Sequence, residues 1–119
     1  LKSFPRERRL LAKAEFQAVF DESNKVSQRY LLALYRPNQQ AEARVGIMVG
    51  KRAVNLAVER NLIKRVIRES FRINQTKLHG LDIIVIVRHQ CNLLTKVQLR
   101  EGVEKLWQNV STQLQKQHC

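Results

Sequence analysis

Glu59-Arg60-Asn61-Leu62-Ile63-Lys64-Arg65-Val66-Ile67-Arg68-Glu69-Ser70-Phe71-Arg72 separates charge from apolar residues at helical spacing. At roughly 100° per residue, Arg60, Asn61, Lys64, Arg65, Arg68 and Arg72 fall within an arc of about 140°. Leu62, Ile63, Val66, Ile67, Ser70 and Ile73 fill most of the opposite side. The pattern predicts a helix from about Ala57 to Leu78, with one core face and one cationic face. Glu59 and Glu69 are the only acids in the stretch and cannot neutralise its cations. Arginine prevails on the charged face, and guanidinium forks bind phosphate oxygens bidentately. Asn61 adds an amide near the helix start, where unpaired backbone N–H groups also favour anions. A solvated face on an ordinary amphipathic helix is the plainer alternative. The excess of cations over acids argues for a surface that meets a polyanion.

The flanking segments supply a sheet. Arg44-Val45-Gly46-Ile47-Met48-Val49-Gly50 reads as a long strand, and Lys51 to Leu56 as the loop joining it to the helix. Arg29-Tyr30-Leu31-Leu32-Ala33-Leu34-Tyr35-Arg36 reads as an earlier strand, ending at Pro37 and antiparallel to the next. Pro37-Asn38-Gln39-Gln40 is a polar turn, and Lys25-Val26-Ser27 a short edge strand. A short helix is expected from about Lys13, with Leu11, Phe16, Val19 and Phe20 on its apolar side. The turn formers Asp21-Glu22-Ser23-Asn24 stop it.

Beyond the basic helix, His79-Gly80 is its expected end, because glycine is the usual left-handed residue past a C-cap. Asp82-Ile83-Ile84-Val85-Ile86-Val87-Arg88 is a continuous apolar run, the mark of a strand covered on both faces. Thr95 is the expected N-cap of a last helix. Its stripe is Val97, Leu99, Val103, Leu106, Val110 and Leu114, with Trp107 beside it. Tyr30, Tyr35, Phe71 and Trp107 are read as core or core-rim residues. The order is α-β-β-β-α-β-α, an α+β fold, with residues 1–119 read as a single domain.

The chain has 119 residues, 44% of them hydrophobic, enough for one core without staples. Net charge is +12 at pH 7 and the pI is about 10.6. Such an excess repels itself and calls for a polyanion, nucleic acid first and an anionic membrane surface second. No apolar run approaches the roughly 20 residues of a membrane span. Leu1-Lys2-Ser3-Phe4-Pro5-Arg6 has no apolar core of the secretory kind. With Cys91 and Cys119 as the only cysteines, the expected compartment is the reducing cytoplasm.

Catalytic constellations are not evident. The acidic residues number 10 and are scattered. Asp21-Glu22 lies in a turn, Glu59 and Glu69 are on the basic helix, and Glu101 and Glu104 are on the last one. His79, His89 and His118 lack metal-ligand spacing, and neither cysteine has a Cys-x-x-Cys partner. The expectation is no catalytic side chain and no metal site in the protein.

Arg60-Asn61-x-x-Lys64-Arg65-x-x-Arg68-Glu69 resembles the RNR signature of the bacterial ribonuclease P protein family. Phe4-Pro5-Arg6-Glu7-Arg8-Arg9-Leu10-Leu11 with Phe16-x-x-Val19-Phe20 is similar to that family's N-terminal segment and first helix. Arg44-Val45-Gly46-Ile47-x-Val49 with Lys51-Arg52, and Asp82 to Arg88, resemble its strand, basic loop and last strand. Position 62 is Leu where many members carry a cation, and position 55 is Asn where many carry Gly.

The resemblance implies a protein subunit that joins ribonuclease P RNA and helps remove the 5′ leader of precursor tRNA. The RNA would carry the active site and its Mg²⁺, and the protein no catalytic residue. It implies an α/β sandwich with a mixed sheet of about four strands. A left-handed βαβ crossover would be formed by the helix Ala57 to Leu78. Arg60, Asn61, Lys64, Arg65, Arg68 and Arg72 would bind RNA. Phe16 and Phe20 would line a cleft holding single-stranded leader, flanked by Lys51, Arg52, Arg88 and His89. On sequence alone Phe16 and Phe20 are more readily read as core residues, and the resemblance shifts that balance toward the cleft. From the residues themselves, Arg6, Arg8 and Arg9 beside Pro5 read equally as an N-terminal arm that contacts RNA or as a solubilising one. One protein per holoenzyme and no membrane partner are expected.

Three alternatives stand beside this one. A structural RNA-binding protein of ribosomal type would explain the charge without tRNA processing. A helix-turn-helix regulator would need two short helices and a tight turn before the basic helix. A membrane-surface or calmodulin-target helix would need a freely exposed apolar face.

Overall fold

A computed structural model describes residues 13–21, 23–39 and 41–117. The elements are α1 Lys13–Asp21, β1 Asn24–Ser27, β2 Leu31–Pro37, β3 Arg44–Met48, α2 Ala57–Asn74, β4 Leu81–Val87 and α3 Lys96–Gln117. Short 3₁₀ turns occupy Gln75–Leu78 and Cys91–Leu93. The strands form one mixed sheet in the order β1-β2-β4-β3. β2 is antiparallel to β1 and to β4, and β3 is parallel to β4. The fold is α+β, in the element order the sequence predicts.

β3 runs opposite to β2, as expected, but the two are not neighbours. β4 lies between them, with Ile84 paired to Leu34 on one side and Gly46 on the other. The burial of β4 explains this placement. Every residue of Leu81–Val87 is buried except the half-buried Ile86. Only a central strand finds cover on both faces and hydrogen-bond partners on both edges.

The inner face of the sheet carries the main core. Val26, Leu31, Ala33, Tyr35, Val45, Ile83, Val85 and Val87 pack with Ile63, Val66, Ile67 and Phe71 of α2 and Leu99, Val103, Leu106, Trp107 and Val110 of α3. The outer face is covered only in part. Val19 of α1 packs on Leu34 and Ile84, while Leu32 and Ile86 beside them stay half-buried. At the far end of this face Asp82 is buried and held by a bidentate Arg44, at 2.9 and 2.8 Å, and by Asn38 at 3.0 Å. Arg36 donates to the Ala18 carbonyl at 3.2 Å and so ties α1 to β2.

Several sequence expectations are corrected. Leu62 and Ile73 are 45% and 65% exposed, while Asn74 joins the core face beside Phe71, which is buried as expected. The buried direction of α2 runs through Ile63, Ile67, Ser70 and Asn74, which leaves Leu62 and Ile73 on a flank. Val97 is 62% exposed. It stands two residues from Leu99, about 200° around the helix, so the two cannot share a stripe. Trp107 is fully buried within the stripe rather than beside it. The α-helix ends at Asn74, and a 3₁₀ turn carries the chain to Leu78. Gly80 then takes the left-handed conformation, with φ of 81°. Asn55 does not; among the described residues the left-handed non-glycine positions are Gln39 and Gln90. Leu11, Arg6, Arg8 and Arg9 lie outside the described residues.

α3 starts on a reciprocal cap. Gln98 N–H donates to Thr95 Oγ1 at 3.1 Å, and Thr95 N–H donates to Gln98 Oε1 at 2.9 Å. α3 is locked to α2 by a buried polar contact. Trp107 Nε1–H donates to Ser70 Oγ at 2.9 Å, and the Trp107 ring meets Phe71 edge-on, 5.8 Å between centroids. Asn74 Nδ2 bridges the Ser70 carbonyl at 2.8 Å and Glu104 at 2.7 Å.

Ser70→Ala strands the indole N–H in the core and should cost about 1–3 kcal/mol in urea unfolding. An unchanged unfolding midpoint would contradict that role. Burial pushes the Cys91 thiol up to about 11. Roughly one thiol in a thousand is then ionised at pH 8. In a Cys119→Ser background, iodoacetamide at pH 8 should label Cys91 slowly in native protein and quickly in urea. Equal rates would place the thiol outside the core.

Candidate nucleic-acid interface

Parallel pairing sets where the basic residues meet. Met48 of β3 pairs with Ile86 of β4, so the segments that follow both strands leave from one end of the sheet. That end receives Lys51 and Arg52 after β3, Arg88 and His89 after β4, and the start of α2. Leu31 pairs with Val87, which brings the β1–β2 turn to the same end. The turn holds Arg88 in place. Its backbone N–H donates to the Tyr30 carbonyl at 2.8 Å, and its guanidinium donates to the Gln28 carbonyl at 2.6 Å. His89 Nδ1 lies 3.1 Å from the Arg52 carbonyl, which can only accept, so Nδ1–H donates there. Lys51, Arg52 and His89 are exposed, and Arg88 is half-buried.

α2 presents the predicted face. Asn61, Arg65 and Arg72 are exposed, and Arg60, Lys64 and Arg68 are half-exposed. Their roles within the fold differ. Arg60 donates to the Val54 and Asn55 carbonyls at 3.0 and 2.7 Å, pinning the loop ahead of the helix. Arg72 pairs with Glu69 at 2.8 Å, both side chains about half-exposed. An exposed pair of this kind contributes little to stability and can exchange partners. Its hydrogen bond and charge hold the Glu69 carboxyl below the usual carboxylate range. Among the described residues Lys64 and Arg65 have no ion-pair partner. Leu56, ahead of α2, makes no side-chain cap, so backbone N–H groups of the first turn remain available to an anion.

On the outer face, the part of the sheet that α1 leaves uncovered is apolar. Leu32, Ile86 and Met48 follow one another across β2, β4 and β3, and Met48 is 42% exposed. This row lies next to the basic end of the sheet. Phe20, on α1, is 41% exposed and therefore outside the core. Phe16 lies on the same helix one turn earlier, and its side chain is outside the described part of the structure. Sequence reading missed Leu32, Met48 and Ile86. Their alternation is visible along the strands, but only the insertion of β4 aligns them in one row.

Among the described residues no three His, Cys, Asp or Glu side chains come together as a metal-holding group. Nor is any helix there long and apolar enough to cross a membrane.

Comparison with known proteins fits this geometry. A family model described as Ribonuclease P matches residues 4–111. The ribonuclease P protein component of Ectopseudomonas mendocina (strain ymp) is 46% identical over 111 residues, 92% of this chain and 83% of the relative. That of Azotobacter vinelandii is 42% identical, over 92% of this chain and 85% of the relative. Among solved structures, a Staphylococcus aureus RNase P protein mutant with defective mRNA degradation activity superposes with a TM-score of 0.83. It is 30% identical and the match covers 88% of this chain and 89% of that one. The RNase P protein from Thermotoga maritima gives a TM-score of 0.75 at 30% identity, covering 85% and 96%. By family model, sequence and fold together, the chain belongs to the ribonuclease P protein family.

Proposed function

We propose that the protein works in the cytoplasm as the RNA-gripping subunit of ribonuclease P, binding both the catalytic RNA and the 5′ leader of precursor tRNA. The single observation that carries this reading is the α2 face. Lys64 and Arg65 meet no carboxylate among the described residues, on a helix whose other side is fixed in the core. A rigid row of cations is preorganised for phosphates and loses little side-chain freedom on binding. One copy per holoenzyme is the assembly we propose.

The leader fits the outer face. Phe20 and the row of Leu32, Ile86 and Met48 offer apolar support, and Lys51, Arg52, Arg88 and His89 stand at its end. Bases can lie on apolar and aromatic groups without being told apart, while cations hold the phosphates. Such tolerance suits a subunit that handles many leader sequences. Phe16 belongs to this cleft on the family resemblance alone.

We assign bond cleavage and Mg²⁺ to the RNA partner. What supports this is the state of the carboxylates, since Asp82, Glu69 and Glu104 are engaged by Arg44, Arg72 and Asn74. The core burial of α2 also disfavours a freely amphipathic membrane helix, and β3 and a loop precede it where a helix-turn-helix needs a helix.

Arg65→Ala should weaken binding to ribonuclease P RNA and reduce the log–log salt slope by about 0.7–0.9. An unchanged slope would remove this face from the interface. Phe20→Ala should lower affinity for leader-bearing precursor tRNA in the holoenzyme more than for mature tRNA. Equal losses would assign Phe20 a purely structural part.

A further inference from the structure

A groove of about 460 Å³ runs between α2 and α3, on the flank of α2 that the core leaves open. Its apolar part is Val66 and the exposed Ile73. Its cations are Arg65 from α2 and Lys96 and Arg100 from α3, all exposed. Glu69 and Glu104 also line it, and both are engaged. Glu69 accepts from Arg72 at 2.8 Å, and Glu104 accepts from Asn74 at 2.7 Å. At the base, the Ser70 hydroxyl is held by Trp107. The groove joins an apolar floor to a rim of three cations and two carboxylates, of which Glu69 is already paired with Arg72 and Glu104 keeps its charge.

We propose that this groove seats an unpaired nucleotide of the RNA partner, its base over Val66 and Ile73 and its neighbouring phosphates on Arg65, Lys96 and Arg100. The inference rests on the reading that α2 meets RNA, and it extends that surface across to α3. The volume is that of a small-ligand cleft, about 300–1,000 Å³. Arg65 sits at the edge of the cationic arc and on the groove, so one strand can pass from one to the other. Duplex bases are stacked inside the helix and cannot reach the floor, whereas a splayed base can. An acidic protein segment would also meet the cations. Continuity with the α2 face and the net charge of +12 favour nucleic acid.

The test is titration of ribonuclease P RNA across salt with wild type, Lys96→Ala/Arg100→Ala, Ile73→Ser and Arg65→Ala, each checked for an unchanged thermal melt. The double variant should reduce the log–log salt slope by about 1.4, or about 0.7 per cation on a single strand. Ile73→Ser should weaken binding several-fold with the slope unchanged, because it removes contact without removing charge. If the double variant and Ile73→Ser both bind like wild type while Arg65→Ala lowers the slope, the groove is overturned and the α2 reading stands. An acidic protein as the true occupant would give that same pattern. If Arg65→Ala also leaves the slope unchanged, the α2 reading fails and the groove with it. A lowered slope in the double variant with Ile73→Ser like wild type means phosphate contact without a seated base, and overturns the nucleotide assignment.

Discussion

Parallel pairing of β3 with β4 is the constraint on which the rest of the molecule depends. Parallel neighbours cannot be joined by a tight turn; the chain must cross over, and α2 is that crossover. A crossover helix has to bury one face on the sheet. Its cations therefore have one direction left, outward. The same pairing sends the segments after β3 and β4 from one end of the sheet, where the basic loops gather. Cationic helix face and cationic loops are thus two results of one topological choice.

The cost of gathering so much charge is self-repulsion, and the fold meets it with rigidity rather than neutralisation. Few carboxylates are spent on the α2 cations. Instead the helix is anchored from behind, by Ile63, Val66, Ile67 and Phe71 in the core and by Ser70 and Asn74 through Trp107 and Glu104. Arg60 and Arg88 show a second economy. Each donates to backbone carbonyls of a neighbouring segment, so the cations that shape the basic end also hold its loops.

Much of this was legible in the chain, and the reasons it was legible are local. The α2 period, the Thr95 cap, the glycine after the helix and the doubly covered β4 all depend on residues close in sequence. What was not legible depends on pairing. The continuous apolar run of β4 is consistent with several sheet positions, so its place between β2 and β3 could not be read, nor could the row of Leu32, Ile86 and Met48. Leu62 and Ile73 were misjudged for a related reason. Helical spacing locates an apolar arc, but the elements packed against it decide how wide that arc is. The groove between α2 and α3 arises from that difference. Val97 is a different case, since its 200° offset from Leu99 was available in the sequence.

Reconstitution tests the central claim, that the chain steers RNA and an RNA partner cuts it. Precursor tRNA is incubated in physiological Mg²⁺ with the purified protein, with ribonuclease P RNA, and with both. The account predicts accurate 5′ maturation with both together, little with the RNA alone, and none with the protein alone. Clean release of the leader by the protein without the RNA would contradict it.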